Sequence, residues 1–154
     1  MEHLNTRSLI EATPVAADMA TADYVRLLHP DDAIGKVNIL IADRKDSAET
    51  KVCEIAAAPF YATCAIERTA FVSLNRFHGC RKDMNLAALN AMFLDLDADL
   101  APKRLVADPA AWRAGVREIC ETAGLPMPSL LNATGRGLAA IWLIRPLPPH
   151  VRAR

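Results

Sequence analysis

Two aspartates, Asp95 and Asp97, directly follow an apolar run and are the most informative chemical feature of the sequence. Side chains two residues apart on a strand point to the same face, so a strand here would present both carboxylates together and turn Leu96 into the core. Two aligned carboxylates repel each other, and a divalent cation between them relieves that repulsion. Oxygen ligands alone suit Mg²⁺ or Mn²⁺ better than zinc. The spacing therefore predicts a metal site that could bridge nucleotide phosphates during phosphoryl or nucleotidyl transfer.

A glycine-bracketed arginine is the second chemical feature, in the string Thr134-Gly135-Arg136-Gly137 between two apolar runs. Glycines let the backbone approach a ligand and expose successive N–H groups, which can surround an anion. Arg136 adds a fork of donors that matches phosphate. The segment therefore predicts a cradle for a triphosphate.

Both features also have a plain structural interpretation. Asp95, Asp97 and Asp99 could form an acidic strand end that faces water, and from spacing alone this carries as much weight as a metal site. An isolated Gly-x-Gly is more often a hairpin turn whose arginine is solvated. The combination favours chemistry, because an acid pair and a glycine-arginine hairpin could converge on one metal-bound phosphate group.

Apolar runs bounded by turn residues predict a mixed α/β chain that would position these motifs. A short helix is expected over residues 21–28, and a helical turn over residues 85–90 leads into the apolar, buried strand 91–97 that carries the acids. Five further strands are expected over residues 37–42, 52–57, 69–74, 129–132 and 138–144.

The best-defined helix begins at Asp108, an N-cap acceptor, with Pro109 in the first helical position. Gly124 is its natural end. Apolar residues recur on one face between these points, at Trp112, Val116, Ile119, Cys120 and Ala123.

Length and charge limit the possible functions. The chain has 154 residues, about one domain, and its 52% hydrophobic content is ample for a core. Because 18 basic residues balance 18 acidic ones, nothing attracts the whole molecule to nucleic acid, and polyanion binding must be local. Apolar stretches fall short of the roughly 20 residues of a membrane span, and no signal pattern begins the chain. A cytoplasmic protein without a membrane partner is expected.

The cysteines and histidines are dispersed along the chain. No close Cys-x-x-Cys pair is present, so reduced and mostly buried thiols are expected rather than a structural zinc site. His78 near Cys80 is half of a metal site at most.

Three segments together resemble plasmid replication proteins of the archaeo-eukaryotic primase superfamily. Residues 85–97, ending LNAMFLDLD, are similar to the first motif of those proteins. Residues 128–138, PSLLNATGRGL, continuing through WLI at 142–144, are similar to the second. Residues 71–77, FVSLNRF, resemble the strand and loop before the first motif. The order and spacing over about residues 69–148 make the likeness more specific than either motif alone.

The resemblance implies an α/β (α+β) fold: a mixed, largely antiparallel, RRM-like primase core with flanking helices. It implies primer synthesis from nucleoside triphosphates on a DNA template, with two divalent metals, Mg²⁺ or Mn²⁺, and with other replication proteins such as a helicase as partners. Asp95 and Asp97 would be the catalytic metal ligands. Contacts to the incoming triphosphate are implied for Thr134, Gly135, Arg136 and Gly137.

Two departures from the family pattern bear on activity. Many members place a histidine two residues after the second glycine, where this chain has Ala139, although some plasmid relatives lack it too. The third motif, a further metal-binding aspartate on a later strand, should lie beyond Pro148, and the chain ends at Arg154. A flexible N-terminus over residues 1–15 and a single partial primase-like domain over residues 16–154 are therefore expected, its C-terminal part missing and an apolar patch exposed. Weak metal binding could survive there while catalysis is lost.

Two other functions remain open. Asp95-Leu96-Asp97 after an apolar strand resembles the nucleophile and acid of haloacid-dehalogenase-like phosphatases, although no later segment supplies an obvious lysine and second acid cluster. The other function is a non-catalytic nucleic-acid-binding module, in which Arg136 and the loop after the third predicted strand contact phosphates. The loop residues assigned to nucleic acid are Asn75, Arg76, Arg81 and Lys82.

Overall fold

A computed structural model describes residues 19–42, 48–65, 69–97, 109–133 and 137–149. Within these ranges the description is limited to the backbone at Thr69, Asp97, Pro109, Ala110, Ala133 and Gly137. The predicted flexible segment, residues 1–15, lies outside it. The described residues divide into two compact units, an N-terminal unit within residues 19–90 with 146–149 and a C-terminal unit within residues 91–145. No helix among the described residues has both the length and the apolarity to span a membrane.

The N-terminal unit is a sheet with helices. Its elements are α1 (Thr21–Leu28), β1 (Lys36–Ala42), β2 (Ala48–Glu54), α2 (Ala58–Cys64), β3 (Thr69–Val72), β4 (Arg76–Phe77) and the first half of β5 (Leu86–Asp97). Two 3₁₀ turns, Ile55–Ala57 and Asp83–Asn85, precede α2 and β5. The strand order is β2-β1-β4-β5, with β3 also paired to β1.

Strand β1 organises this sheet, and all its described pairings are antiparallel. It pairs with β2 from Lys36↔Glu54 to Ala42↔Ala48, and with β3 from Ile39↔Val72 to Ala42↔Thr69. Alternate residues of β1 face the core, as the two-residue period of a strand requires. The buried core comprises Val25, Val37, Ile39, Cys53, Ile55, Ala58 and Ala62.

The C-terminal unit contains the second half of β5, α3 (Pro109–Ala123), β6 (Leu130–Ala133) and most of β7 (Gly137–Leu147). Its strand order is β5-β7-β6. Strands β6 and β7 pair antiparallel from Leu130↔Ile141 to Ala133↔Leu138. Its core joins α3 to alternate residues of β7: Val116, Cys120, Leu138, Ala140 and Trp142.

Most predicted elements are confirmed, including the helix over residues 21–28, the helix that Gly124 ends, and a mixed, largely antiparallel α/β class. Three predicted segments are wrong. The loop that was expected to contain Arg76 includes the two-residue strand β4. The strand over residues 52–57 ends at Glu54 and is followed by a 3₁₀ turn and by α2, which the sequence reading missed. The helical turn over residues 85–90 is the beginning of β5, because pairing with β4 outweighs the helical preference of its alanines and leucines.

The predicted apolar face of α3 is narrower than its sequence indicates. Val116 and Cys120 are buried and Trp112 packs against them. Ile119 and Ala123 are exposed. The face of α3 that meets β7 therefore contains only about one buried residue in each helical turn. The thiol prediction is only half right, since Cys53 and Cys120 are buried but Cys64 and Cys80 are exposed.

Candidate functional site at the acid end of strand five

The predicted acid pair lies at the end of β5, which runs through both aspartates to Asp97. The side chain of Asp95 is exposed. Its neighbour Leu96 packs against the core of the C-terminal unit, as predicted. Because successive side chains of a strand alternate between faces, Asp95 points away from the face that Leu96 anchors.

The apolar run that precedes the acids is not buried, contrary to prediction. Met92, Phe93 and Leu94 expose 61%, 62% and 42% of their surface, while Ala91 is buried. Apolar residues on both faces of a strand indicate cover on both faces. The prediction of burial fails here because the described helix α3 packs on β7 and on β5 only near Leu96. The apolar run lies before this contact and is left uncovered. The acid end therefore adjoins an exposed apolar surface.

The glycine-arginine segment connects two antiparallel strands, as the predicted strand-turn-strand pattern requires. Strand β6 ends at Ala133 and β7 begins at Gly137. Thr134, Gly135 and Arg136, predicted to contact a triphosphate, lie outside the described residues.

Strands β5 and β7 are hydrogen-bonded neighbours within the C-terminal unit. In an antiparallel sheet the end of one strand lies beside the start of the next. The acid end of β5 and Gly137, the first residue of β7, therefore belong to adjacent strands of the C-terminal unit.

No cluster of three or more histidine, cysteine or acidic side chains suited to a metal occurs among the residues that were described. The Asp97 side chain and residues 98–108, which include Asp99, are not among them. Asp95 is the one acidic side chain of β5 that the structure describes. No family model, curated protein or solved structure matches the chain.

The predicted nucleic-acid contacts divide into an enclosed pair and an exposed pair. Asn75 accepts a hydrogen bond from the Asn90 backbone N–H at 2.9 Å, and Arg76 is only 4% exposed. Burial lowers the pKa of Arg76, and the nearby Asp32 carboxylate opposes that shift. A phosphate contact needs an accessible guanidinium, so the prediction for Arg76 is at odds with its burial in β4. Arg81 and Lys82, by contrast, are exposed.

A buried polar network around Ser73 was not foreseen from the sequence. His29 Nε2 lies 2.7 Å from the Ser73 carbonyl oxygen. The Asn38 backbone N–H donates to Ser73 Oγ at 3.1 Å, and Ser73 N–H donates to the Asn38 carbonyl at 2.8 Å. The available signal was Asn38 and Asn90 inside otherwise apolar strand runs, since a buried amide needs partners.

Proposed function

We propose that this chain is a primase-like nucleotidyltransferase domain of the kind that serves plasmid or mobile-element replication, and that it binds a divalent metal and a nucleoside triphosphate at the acid end of β5. One observation carries the proposal: Asp95 is exposed on a strand that Leu96 anchors, and the neighbouring strand begins at Gly137, the last residue of the glycine-arginine segment. The sequence resemblance to plasmid replication primases supplies the reaction class.

The proposed roles follow from donor chemistry. Asp95 and Asp97 would hold Mg²⁺ or Mn²⁺, which when bound neutralises charge on the reacting phosphates. Arg136 and the N–H groups of Thr134, Gly135 and Gly137 would orient the triphosphate. Packing of Leu96 would fix the orientation of β5, and a metal-binding carboxylate needs a fixed orientation to coordinate the ion.

Calorimetric titration of the full chain with Mn²⁺, with and without a nucleoside triphosphate, tests the proposal. The wild type should bind Mn²⁺, and the triphosphate should strengthen binding. The double variant Asp95→Asn with Asp97→Asn should weaken binding by at least about tenfold. The matched control is Asp31→Asn with Glu49→Gln, two exposed acids of the N-terminal unit, which should bind as the wild type does. Equal binding by the wild type and the site variant would refute the metal site.

A template-dependent assay separates catalysis from binding. Labelled nucleoside triphosphates are supplied with single-stranded DNA, and products are resolved by length. Metal-dependent products that the Asp95→Asn variant fails to make would support a complete nucleotidyltransferase. Metal binding without products would restrict the function to binding.

A non-catalytic nucleic-acid-binding module is the second candidate, and the exposure of Arg81 and Lys82 favours it. Such a module would contact phosphates through these cations and would have no need of the acids. DNA binding that persists in chelator and in the Asp95→Asn variant would favour the module over the metal-dependent function.

A further inference from the structure

Four buried side chains of the N-terminal unit each leave one polar atom without a hydrogen-bond partner among the described residues. One is Asn38, whose Oδ1 is unpartnered while its Nδ2 donates to the Gly79 carbonyl at 3.0 Å, beyond the end of β4. The other three atoms are His29 Nδ1, Arg76 Nε and Asn90 Oδ1. The residues that carry them are 1%, 4% and 5% exposed. A buried polar group without a partner costs about 1–3 kcal/mol, so three such atoms in one region require an explanation.

Hydrogen bonds to the backbone and strand pairing bring the three side chains close to one another. Asn90 Nδ2 donates to the Leu28 carbonyl at 2.8 Å and to the Leu74 carbonyl at 2.8 Å. His29 follows Leu28 directly, and its ring contacts Ser73, the neighbour of Leu74. Arg76 of β4 pairs with Ala88 of β5, two residues before Asn90, so the side chains of Arg76 and Asn90 lie on the same face of the sheet. The charge of Arg76 also lowers the pKa of the His29 ring. The three side chains therefore surround the junction of the end of α1 with β4 and β5.

The existing contacts fix which of the three atoms donate and which accept. A carbonyl oxygen only accepts, so His29 Nε2 carries the proton that it shares with Ser73, and Nδ1 of the neutral ring is an acceptor. Both hydrogens of the Asn90 amide are directed to carbonyls, which leaves Oδ1 as an acceptor. Arg76 Nε is a donor in every state. At the junction of α1 with β4 and β5, the unfilled requirement is two acceptors and one donor.

We propose that this junction is a binding site for one buried water molecule. Its two O–H groups donate to His29 Nδ1 and Asn90 Oδ1, and its oxygen accepts from Arg76 Nε–H. A buried water typically makes about three hydrogen bonds, which is the number required here. The water joins the end of α1 to the paired strands β4 and β5.

The charge and donor pattern excludes other small occupants. A cation could accept nothing from Arg76 and would lie beside a guanidinium. An anion such as chloride would accept from Arg76 but would face the lone pairs of Nδ1 and Oδ1. An alcohol hydroxyl has one donor for two acceptors. Water alone among these supplies two donors and an acceptor.

Water-to-protein NMR cross-relaxation on the labelled full chain tests the site. The probe is the carbon-bound ring proton of His29 between its two nitrogens, because that proton does not exchange. A long-lived water should give NOE and ROE cross-peaks of opposite sign to this proton at the water frequency. Absence of the NOE would overturn the proposal, since a dry cluster with Arg76 Nε bonded straight to Asn90 Oδ1 gives none.

Two further readouts tie the water to the named atoms. A long-range ¹H–¹⁵N spectrum at neutral pH should show His29 protonated on Nε2 alone, and a proton on Nδ1 would overturn the assignment. Arg76→Met removes the donor but keeps an unbranched chain, and it should weaken or abolish the cross-peak. The control Gly115→Ala, in α3 of the other unit, should leave it unchanged. If Arg76→Met does not fold, the wild-type cross-peak and ring spectrum still decide.

Discussion

At the residue scale, His29 couples proton binding to folding. The ring is buried, and burial is the largest cause that lowers its pKa from 6.5 to about 4, with Arg76 adding to the shift and the Ser73 hydrogen bond opposing it. Between these two values the unfolded chain binds a proton that the folded chain does not. Stability is therefore complete above pH 6.5 and is lost as pH falls towards 4.

We expect the free energy of unfolding to decrease by about 2 kcal/mol between pH 7.5 and pH 5 from this histidine alone. Urea denaturation at several pH values, followed by circular dichroism, measures the change. In the His29→Phe variant, the decrease in the free energy of unfolding between pH 7.5 and pH 5 should be smaller by that amount. A wild-type stability that stays constant from pH 7.5 to pH 5 would contradict the expectation.

Gly35 is a position where a side chain should not be tolerated. Its φ is +110°, and an added Cβ would lie 3.2 Å from the Cβ atoms of Ala87 and Arg76 and 3.3 Å from the Phe77 carbonyl oxygen. Backbone strain of this type costs about 1–3 kcal/mol. Gly35→Ala should therefore lower the free energy of unfolding by about 2 kcal/mol in urea denaturation.

The matched control for Gly35 is Gly79→Ala in the same unit, where the nearest atom to a new Cβ is Asn85 Nδ2 at 3.8 Å. That variant should change stability by no more than about 0.5 kcal/mol. Equal losses at the two glycines would show that the strain argument is wrong.

The environment of a single residue was predicted well where the local sequence determines it and poorly where burial by distant parts of the chain determines it. The inward turn of Leu96 follows from the strand period alone, and it is confirmed. The burial of Arg76 and His29 depends on tertiary contacts, such as that of His29 with Ser73, which no local pattern indicates. The roles of Asp95, Asp97 and Arg136 stay predictions.

At the element scale, α3 shows the difference between a glycine that ends a helix and one inside it. Gly115 lies in the helix, and an added Cβ there meets nothing within 4 Å. Gly124 has a φ of +66° just past the helix end. The first glycine costs backbone entropy without a packing benefit, whereas the second suits the left-handed conformation.

Opposite effects on stability are expected from alanine at these two glycines. Gly115→Ala should raise the free energy of unfolding by about 1 kcal/mol, and Gly124→Ala should lower it by about 1–2 kcal/mol. Urea titration of both variants beside the wild type gives the comparison. A loss of stability in Gly115→Ala would mean that the helix face around it is covered.

Elements with their own start and stop residues were predictable, and elements that depend on pairing were not. Proline and glycine bound α3, so its location was evident from the sequence. The first half of β5 contains alanine, leucine and asparagine, which suit a helix, and it becomes a strand through Arg76↔Ala88 and Phe77↔Leu86. Pairing of this kind is a tertiary effect.

At the scale of the whole molecule, equal numbers of acidic and basic residues give no overall attraction to DNA, so any binding must come from local cations. Arg81 and Lys82 are the exposed members of the predicted contact set. Single-stranded DNA releases about 0.7 counterion for each phosphate that is neutralised. A protein that uses two or three cations should therefore show a shallow salt dependence.

We expect log K for single-stranded DNA to fall with log salt with a slope of about −1.5 to −2. Arg81→Gln with Lys82→Gln should reduce the slope to near zero if these are the two cations that contact phosphates. If a third cation contributes, the slope should fall to the value for one cation. Arg113→Gln with Arg117→Gln, on the exposed face of α3, is the control and should leave the slope unchanged. Fluorescence anisotropy from low to moderate salt gives the slope, and one steeper than about −4 would require a larger basic surface.

The packing of Leu96 also determines the register of β5. A slip of one residue would expose this leucine and turn both neighbouring acids inward, where ionised carboxylates are strongly disfavoured. Insertions or deletions of two residues in β5 should therefore be tolerated better than those of one residue. A single-residue deletion between Asn90 and Leu94 should disrupt the acid end even though every aspartate is retained.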